Sequence, residues 1–169
     1  QKTFPFKYWL SYSYIYTRRD FLNYTASLQP DFVTPHTFSA VIQQFIPNIK
    51  KQVNFSYSFA TGRPYYYFQP DLNNHSYSLS HQGKTSDYNN LDFSIDYLPD
   101  FAKKNKKVTV MFVATVKNIL GLQQLYTYNY SYDGSYKQPV LPISKQQYFI
   151  GVFFNFGKDR SQEIINENM

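Results

Sequence analysis

Three histidines, His36, His75 and His81, together with 11 Asp and Glu residues, are the side chains of this 169-residue chain that could hold a metal or move a proton. His75 and His81 share a segment with Asp71 and Asp87. No His-x-His or His-x-x-x-His spacing fixes two ligands together, so these four are expected as solvated loop residues. Asp92 and Asp96 sit two steps apart on one face of an alternating segment. That places them roughly 13 Å apart at strand rise, too far for a retaining acid pair and marginal for an inverting one. The polarity of a hydrated wall accounts for them better. With no cysteine in the chain, disulfides, thiolate zinc sites and cysteine nucleophiles are excluded together. The residues therefore predict no catalytic constellation, no metal site and no cofactor, and the chain is not expected to be an enzyme.

Tyrosine offers a different chemistry. Arg63-Pro64-Tyr65-Tyr66-Tyr67-Phe68 is the most distinctive local run, and Tyr126, Tyr128, Tyr130, Tyr132 and Tyr136 surround an Asp133-Gly134 turn signal in a second tyrosine-rich hairpin. Rigid amphipathic rings of this kind can stack on a ligand and hydrogen-bond it at the same time. Arg63, Tyr65, Tyr66, Tyr67, Tyr128, Tyr130 and Tyr132 are accordingly the candidate ligand contacts. The competing reading is structural: an aromatic belt at strand ends, with Gly62 and Pro64 bending the chain out of a sheet.

The elements that must position these residues follow from composition and period. Aromatic residues make up 21% of the chain, with 18 Tyr and 16 Phe, while charged residues reach only 17%, below the roughly 25% of ordinary domains. No window approaches the length of apolar sequence that a membrane-crossing helix needs, and a chain this aromatic is not intrinsically disordered. The net charge of +6 does not form one stripe. Lys50, Lys51, Lys103, Lys104, Lys106 and Lys107 fall in short clusters beside Pro and Asn, as turn residues do, and no nucleic-acid partner is expected.

Six segments alternate with period two, the mark of strands with two unlike faces. In residues 53–60, Val53, Phe55, Tyr57 and Phe59 oppose Asn54, Ser56 and Ser58; in residues 90–97, Leu91, Phe93, Ile95 and Tyr97 oppose Asn90, Asp92, Ser94 and Asp96. Residues 7–14, 36–45, 108–117 and 148–156 repeat the pattern, the last with Tyr148, Ile150, Val152, Phe154 and Phe156 on one face. The connections run long, short, long, short, long: residues 18–35, 47–51, 61–89, 99–105 and 119–144. An all-β antiparallel up-and-down meander of about six strands is therefore predicted, part of a transmembrane outer-membrane β-barrel, because such barrels segregate short turns and long loops to opposite ends. A soluble sandwich builds its apolar face from Val, Ile and Leu and its outer face from Lys, Glu and Arg; here the faces are Tyr and Phe against Ser, Asn, Thr and Asp. Phe55, Tyr57, Phe59, Phe93, Ile95, Ile150, Val152 and Phe154 are expected to face lipid, and Asn54, Ser56, Ser58, Asp92, Ser94 and Asp96 the lumen. Six strands do not close a barrel, whose single-chain minimum is about eight. The chain is then the C-terminal part of a larger barrel, a unit of an oligomeric one, or a sheet with further strands hidden in the long connections, where residues 65–68 and 125–132 could extend strands outward.

Several runs resemble the C-terminal strands of TonB-dependent receptors of the carboxypeptidase-like regulatory-domain type, in the expected order. They are Ser11-Tyr12-Ser13-Tyr14-Ile15-Tyr16, residues 30–36, Ser58-Phe59-Ala60-Thr61-Gly62-Arg63-Pro64-Tyr65-Tyr66, Asn118-Ile119-Leu120-Gly121 and Gln147-Tyr148-Phe149-Ile150-Gly151-Val152-Phe153. The resemblance covers residues 1–157 and leaves a polar tail at 158–169. It implies a barrel of about 22 strands plugged by a globular domain, set in the outer membrane of a Gram-negative cell among lipid and lipopolysaccharide. There it imports a nutrient with energy from TonB, so the expected partners are the rest of the barrel, the plug, TonB and the nutrient. The alternatives from other classes are a non-transporting barrel with adhesive or assembly-partner loops, and a soluble carbohydrate-binding β-sandwich.

Overall fold

In a computed structural model, residues 6–24, 26–73, 75–99 and 108–156 are described. Lys103, Lys104, Lys106 and Lys107 of the second short connection and the 158–169 tail lie outside them. Among the described residues ten strands form: β1 (Lys7–Tyr14), β2 (His36–Ile46), β3 (Lys51–Ala60), β4 (Pro64–Asp71), β5 (Ser76–Lys84), β6 (Tyr88–Tyr97), β7 (Val108–Lys117), β8 (Thr127–Tyr130), β9 (Lys137–Val140) and β10 (Gln147–Phe156). One six-stranded antiparallel sheet takes β1, β2, β3, β6, β7 and β10 in that order, and β4–β5 and β8–β9 are separate two-stranded hairpins. All six alternating segments are thus strands of one meander. The long connections do not lengthen those strands. They fold into hairpins of their own.

Register makes the two faces continuous. Tyr8 pairs with Ile42, Ile42 with Phe55, Phe55 with Phe93, Phe93 with Val116 and Val116 with Tyr148, so one apolar row crosses the whole sheet. Next to it, Lys7, Gln43, Asn54, Ser94 and Thr115 form a row of the opposite face. Tyr8 lies near the short-connection end of β1, whereas Tyr148 lies at the long-loop end of β10. A perpendicular line therefore climbs the full strand length in crossing six strands, the stagger that tilted strands of a barrel wall require.

The turn between β2 and β3 is a single 3-10 turn, Pro47–Ile49, closed by Lys50 in the left-handed region at φ 53, whose backbone N–H donates to the Pro47 carbonyl. Proline presets the first turn position and the left-handed residue reverses the chain within three residues.

What the sheet lacks is a core. Apart from Pro30 and Pro64, only Leu28, Val33 and Phe45 are buried apolar side chains among the described residues, and no side chain there is less than 2% exposed. Two of the three belong to or adjoin the first long connection. Among the described residues no second sheet packs face to face on the six strands, and Tyr8, Leu10, Tyr12, Ile150, Phe154 and Phe156 all stand exposed. The outer edges of β1 and β10 have no strand partner among the described residues.

Candidate functional site

The long connections converge at one end of the sheet, and each leaves it through a pinned junction. After β3 the chain turns at Gly62, where a Cβ would stand 1.9 Å from the Thr85 carbonyl oxygen, so only glycine lets the two backbones meet. The Gly62 N–H donates to Asp87 (2.8 Å), the Arg63 N–H to the Thr85 hydroxyl (2.9 Å), and the Thr85 N–H returns to the Arg63 carbonyl (2.9 Å). Thr85 and Pro64 are buried at this neck. Asp87 is therefore a capping acceptor of the junction.

The second neck follows β7 and is organised by Asn118, 5% exposed and left-handed at φ 53. Its amide Nδ2 donates to the Leu122 and Lys145 carbonyls, both at 2.7 Å, its Oδ1 accepts from the Leu122 N–H (3.3 Å), and its own N–H donates to Asp92 (2.9 Å). Gln146 donates to the Asn118 and Ile119 carbonyls, and Gln124 to the Asn89 carbonyl. Asparagine tolerates the left-handed region and carries the donors and the acceptor that the turn needs.

Above these necks the hairpins meet through tyrosine. The Tyr65 ring lies edge-on to Tyr128 at 4.8 Å, Tyr67 lies 5.1 Å from Tyr130, and the Tyr67 hydroxyl donates to the Tyr132 carbonyl (2.7 Å). His81 stacks on both Tyr67 and Tyr130. Lys137 sits over the Tyr128 and Tyr65 rings at 4.2 and 5.0 Å and donates to the Tyr65 hydroxyl, which raises its pKa. Gly134 (φ 69) and Gly83 admit these rings, since a Cβ at either would fall within 2.5 Å of Tyr67 or Tyr65 carbon atoms. Four of the seven candidate contacts, Tyr65, Tyr67, Tyr128 and Tyr130, are thus brought together, and their ring faces are largely spent on one another.

The other three go elsewhere. Tyr132 is 97% exposed at the β8–β9 tip. Arg63 borders a hollow beside Thr61, Thr85 and Tyr126. Tyr66 turns to the opposite side of β4 and, with Phe68, faces the first long connection across a cavity of about 300 Å³. There burial raises the Tyr66 pKa, opposed by a hydrogen bond from the Gln29 backbone.

On the six-stranded sheet, Asn54, Ser56, Ser58, Asp92, Ser94 and Asp96 share one face. Hydrogen bonds run along this face: Asn54 donates to Ser94 (2.9 Å) and Asp96 (3.0 Å), Gln52 to Asp96 (3.2 Å), and Asn90 to Asp92 (2.8 Å). Phe55, Tyr57, Phe59, Phe93, Ile95, Ile150, Val152 and Phe154 share the other, with Phe55 and Phe93 ring to ring at 5.0 Å. Among the described residues no three His, Asp or Glu side chains gather as a metal site.

Residue patterns did not single out Lys137, because it owes its place to Tyr65, far from it in sequence. Asn118 did carry a signal, the Asn-Ile-Leu-Gly run, but not its role as a buried hub. No protein-family model, curated protein or solved structure matches the chain.

Proposed function

We propose that this chain forms part of the wall and outer mouth of an outer-membrane β-barrel of the TonB-dependent receptor type, taking part in nutrient uptake in a Gram-negative cell. The observation that carries the reading is the sheet itself. One face carries Tyr, Phe, Ile and Val across all six strands, most exposed on β1 and β10; the other carries a hydrogen-bonded polar network on its middle strands, flanked by Trp9, Phe149 and Phe153, and the described residues bury little of either. In water an apolar field of this extent is unfavourable; against lipid it is satisfied, while the polar field lines a hydrated lumen. The free edges of β1 and β10 cannot face lipid unpaired, so the reading requires further strands of the same barrel. A plug, TonB, lipopolysaccharide and a nutrient ligand are its remaining partners. A soluble sandwich is disfavoured because no second sheet among the described residues covers the apolar face.

A second reading, a non-transporting barrel with adhesive or assembly loops, draws on the loop tips: Leu22, Leu72 and Tyr132 are each more than 80% exposed. The two separate on whether the parent reading frame encodes a plug and a TonB box. The membrane reading itself is tested by fractionation and heat modifiability: the parent protein should partition with outer membranes and migrate anomalously in SDS until boiled. Recovery of the chain as a detergent-free soluble monomer would sink it.

A further inference from the structure

We infer that the apolar face carries, at its short-connection end, a binding site for a phospholipid with an anionic headgroup, an inference that rests on the membrane reading above. Lys51 opens β3 and pairs with Ile46 and Tyr97. It stands two residues before Val53 and four before Phe55, so alternation puts its side chain on the apolar face. None of the described residues gives its ammonium a hydrogen bond or an ion pair. Asp92 and Asp96 belong to the opposite face, and the other described carboxylates lie in the long connections. The adjacent Lys50 is engaged differently, its ammonium donating to the Pro99 carbonyl at 3.1 Å.

Beside Lys51 the apolar face dips. Ala114 is the one small residue of a row that otherwise carries Val53, Ile95 and Ile150. A shallow hollow of about 640 Å³ opens there, running from Lys51 at the end of β3 to Ile150 in the middle of β10. Three strand spacings separate those ends, roughly 14 Å, room for part of an acyl chain. Tyr97 and Phe112, stacked at 6.1 Å, wall the hollow near Lys51. Because barrel strands tilt, a path across them from a strand end leads from the membrane boundary into the hydrocarbon.

A free cation at the head of an apolar trough matches a molecule that joins a phosphate to a hydrocarbon chain. Lysine can lay its methylene stem along the apolar surface and hold its ammonium at the headgroups, and a charge on the lipid face is tolerated only near such a boundary. Short turns of these barrels face the periplasm, so the lipid comes from the leaflet on that side. An anionic headgroup is favoured, since each lysine near the surface adds to the attraction for anionic lipid. Lys103, Lys104, Lys106 and Lys107 add to the charge of the second short connection in sequence, so the test must separate one placed lysine from diffuse charge.

Native mass spectrometry of the parent protein released from mixed micelles counts the lipids it retains. Phosphatidylglycerol should be retained over phosphatidylcholine with the same chains. Lys51→Gln should lower phosphatidylglycerol retention about fivefold. Lys50→Gln, which removes the same charge one residue away, should leave it unchanged. Ala114→Leu fills the hollow with Lys51 intact and should lower retention too; anomalous migration before boiling shows that each variant is folded, and if Ala114→Leu is not, the lysine pair decides alone. Full retention by Lys51→Gln, an equal loss in Lys50→Gln, no preference for phosphatidylglycerol, or a preference for lipopolysaccharide overturns the inference and leaves the membrane reading standing. A parent protein that does not partition into bilayers overturns both.

Discussion

Asn118 holds two carbonyls from segments that follow it by four and 27 residues, so its amide joins the start of the third long connection to its end. Asn118→Ala removes both donations and the acceptor for the Leu122 N–H and leaves a residue at positive φ without side-chain compensation; a loss of about 2 kcal/mol in urea unfolding is expected. Gly62→Ala tests the other neck. Its Cβ would meet backbone rather than a side chain, so the strands must part, with an expected loss of at least about 2 kcal/mol. Asp133 is fully exposed, yet hydrogen bonds from Ser131 and Ser135 lower its pKa from 3.8 to about 2. Because its folded pKa lies below the unfolded one, the stability it contributes is present above pH 3.8 and is lost as pH falls through about 2. NMR titration of the Asp133 carboxyl should give a midpoint near that lower value, and Ser131→Ala should move it back toward 3.8.

The strands of the large sheet owe their stability to where their two faces lie, and the hairpins owe theirs to one another. Ile95 and Ser94 are neighbours on β6 that point to opposite faces. If the apolar face meets lipid, Ile95→Arg should destabilise the folded protein by about 2–4 kcal/mol in a bilayer, whereas Ser94→Arg should have a much smaller effect; equal effects would contradict the face assignment. The β8–β9 hairpin is short, and two-stranded hairpins are marginal alone. Its ring contacts with β4, each worth about 1 kcal/mol beyond burial, hold it in place. Tyr65→Ala combined with Tyr67→Ala should therefore open residues 127–140 to limited proteolysis while the six-stranded sheet stays protected.

For the molecule as a whole, the single tryptophan is a ready reporter. Trp9 pairs with Val41, which pairs with Ser56, so it belongs to the face that carries the polar network. In bilayers its fluorescence should be quenched by aqueous iodide and spared by brominated acyl chains, and a Trp at position 55 in a Trp9→Phe background should show the reverse. In the proposed bilayer setting the apolar field also accounts for how few apolar side chains the described residues bury. Where the surrounding solvent is hydrocarbon, burying apolar groups against each other brings no advantage over exposing them, and the folding energy rests on backbone pairing and the polar network.

Period-two alternation alone located all six strands of the sheet, because a strand with unlike faces writes its geometry into every second residue. Even the faces of Asn54, Asp92, Phe55 and Ile150 could be read in this way. The all-β class and the ordering of long and short connections were legible for the same reason. The fate of the tyrosine runs was not. Tyr65 and Tyr128 are separated by more than sixty residues, and nothing in the local pattern of either says that they spend their rings on each other while Tyr66 turns to a cavity on the far side of β4. The same holds for Lys137, which meets the Tyr65 ring and hydroxyl. The sequence by itself determined which residues alternate; only the tertiary structure decided which of the remaining side chains meet, because those contacts are made between loops whose paths no local period records.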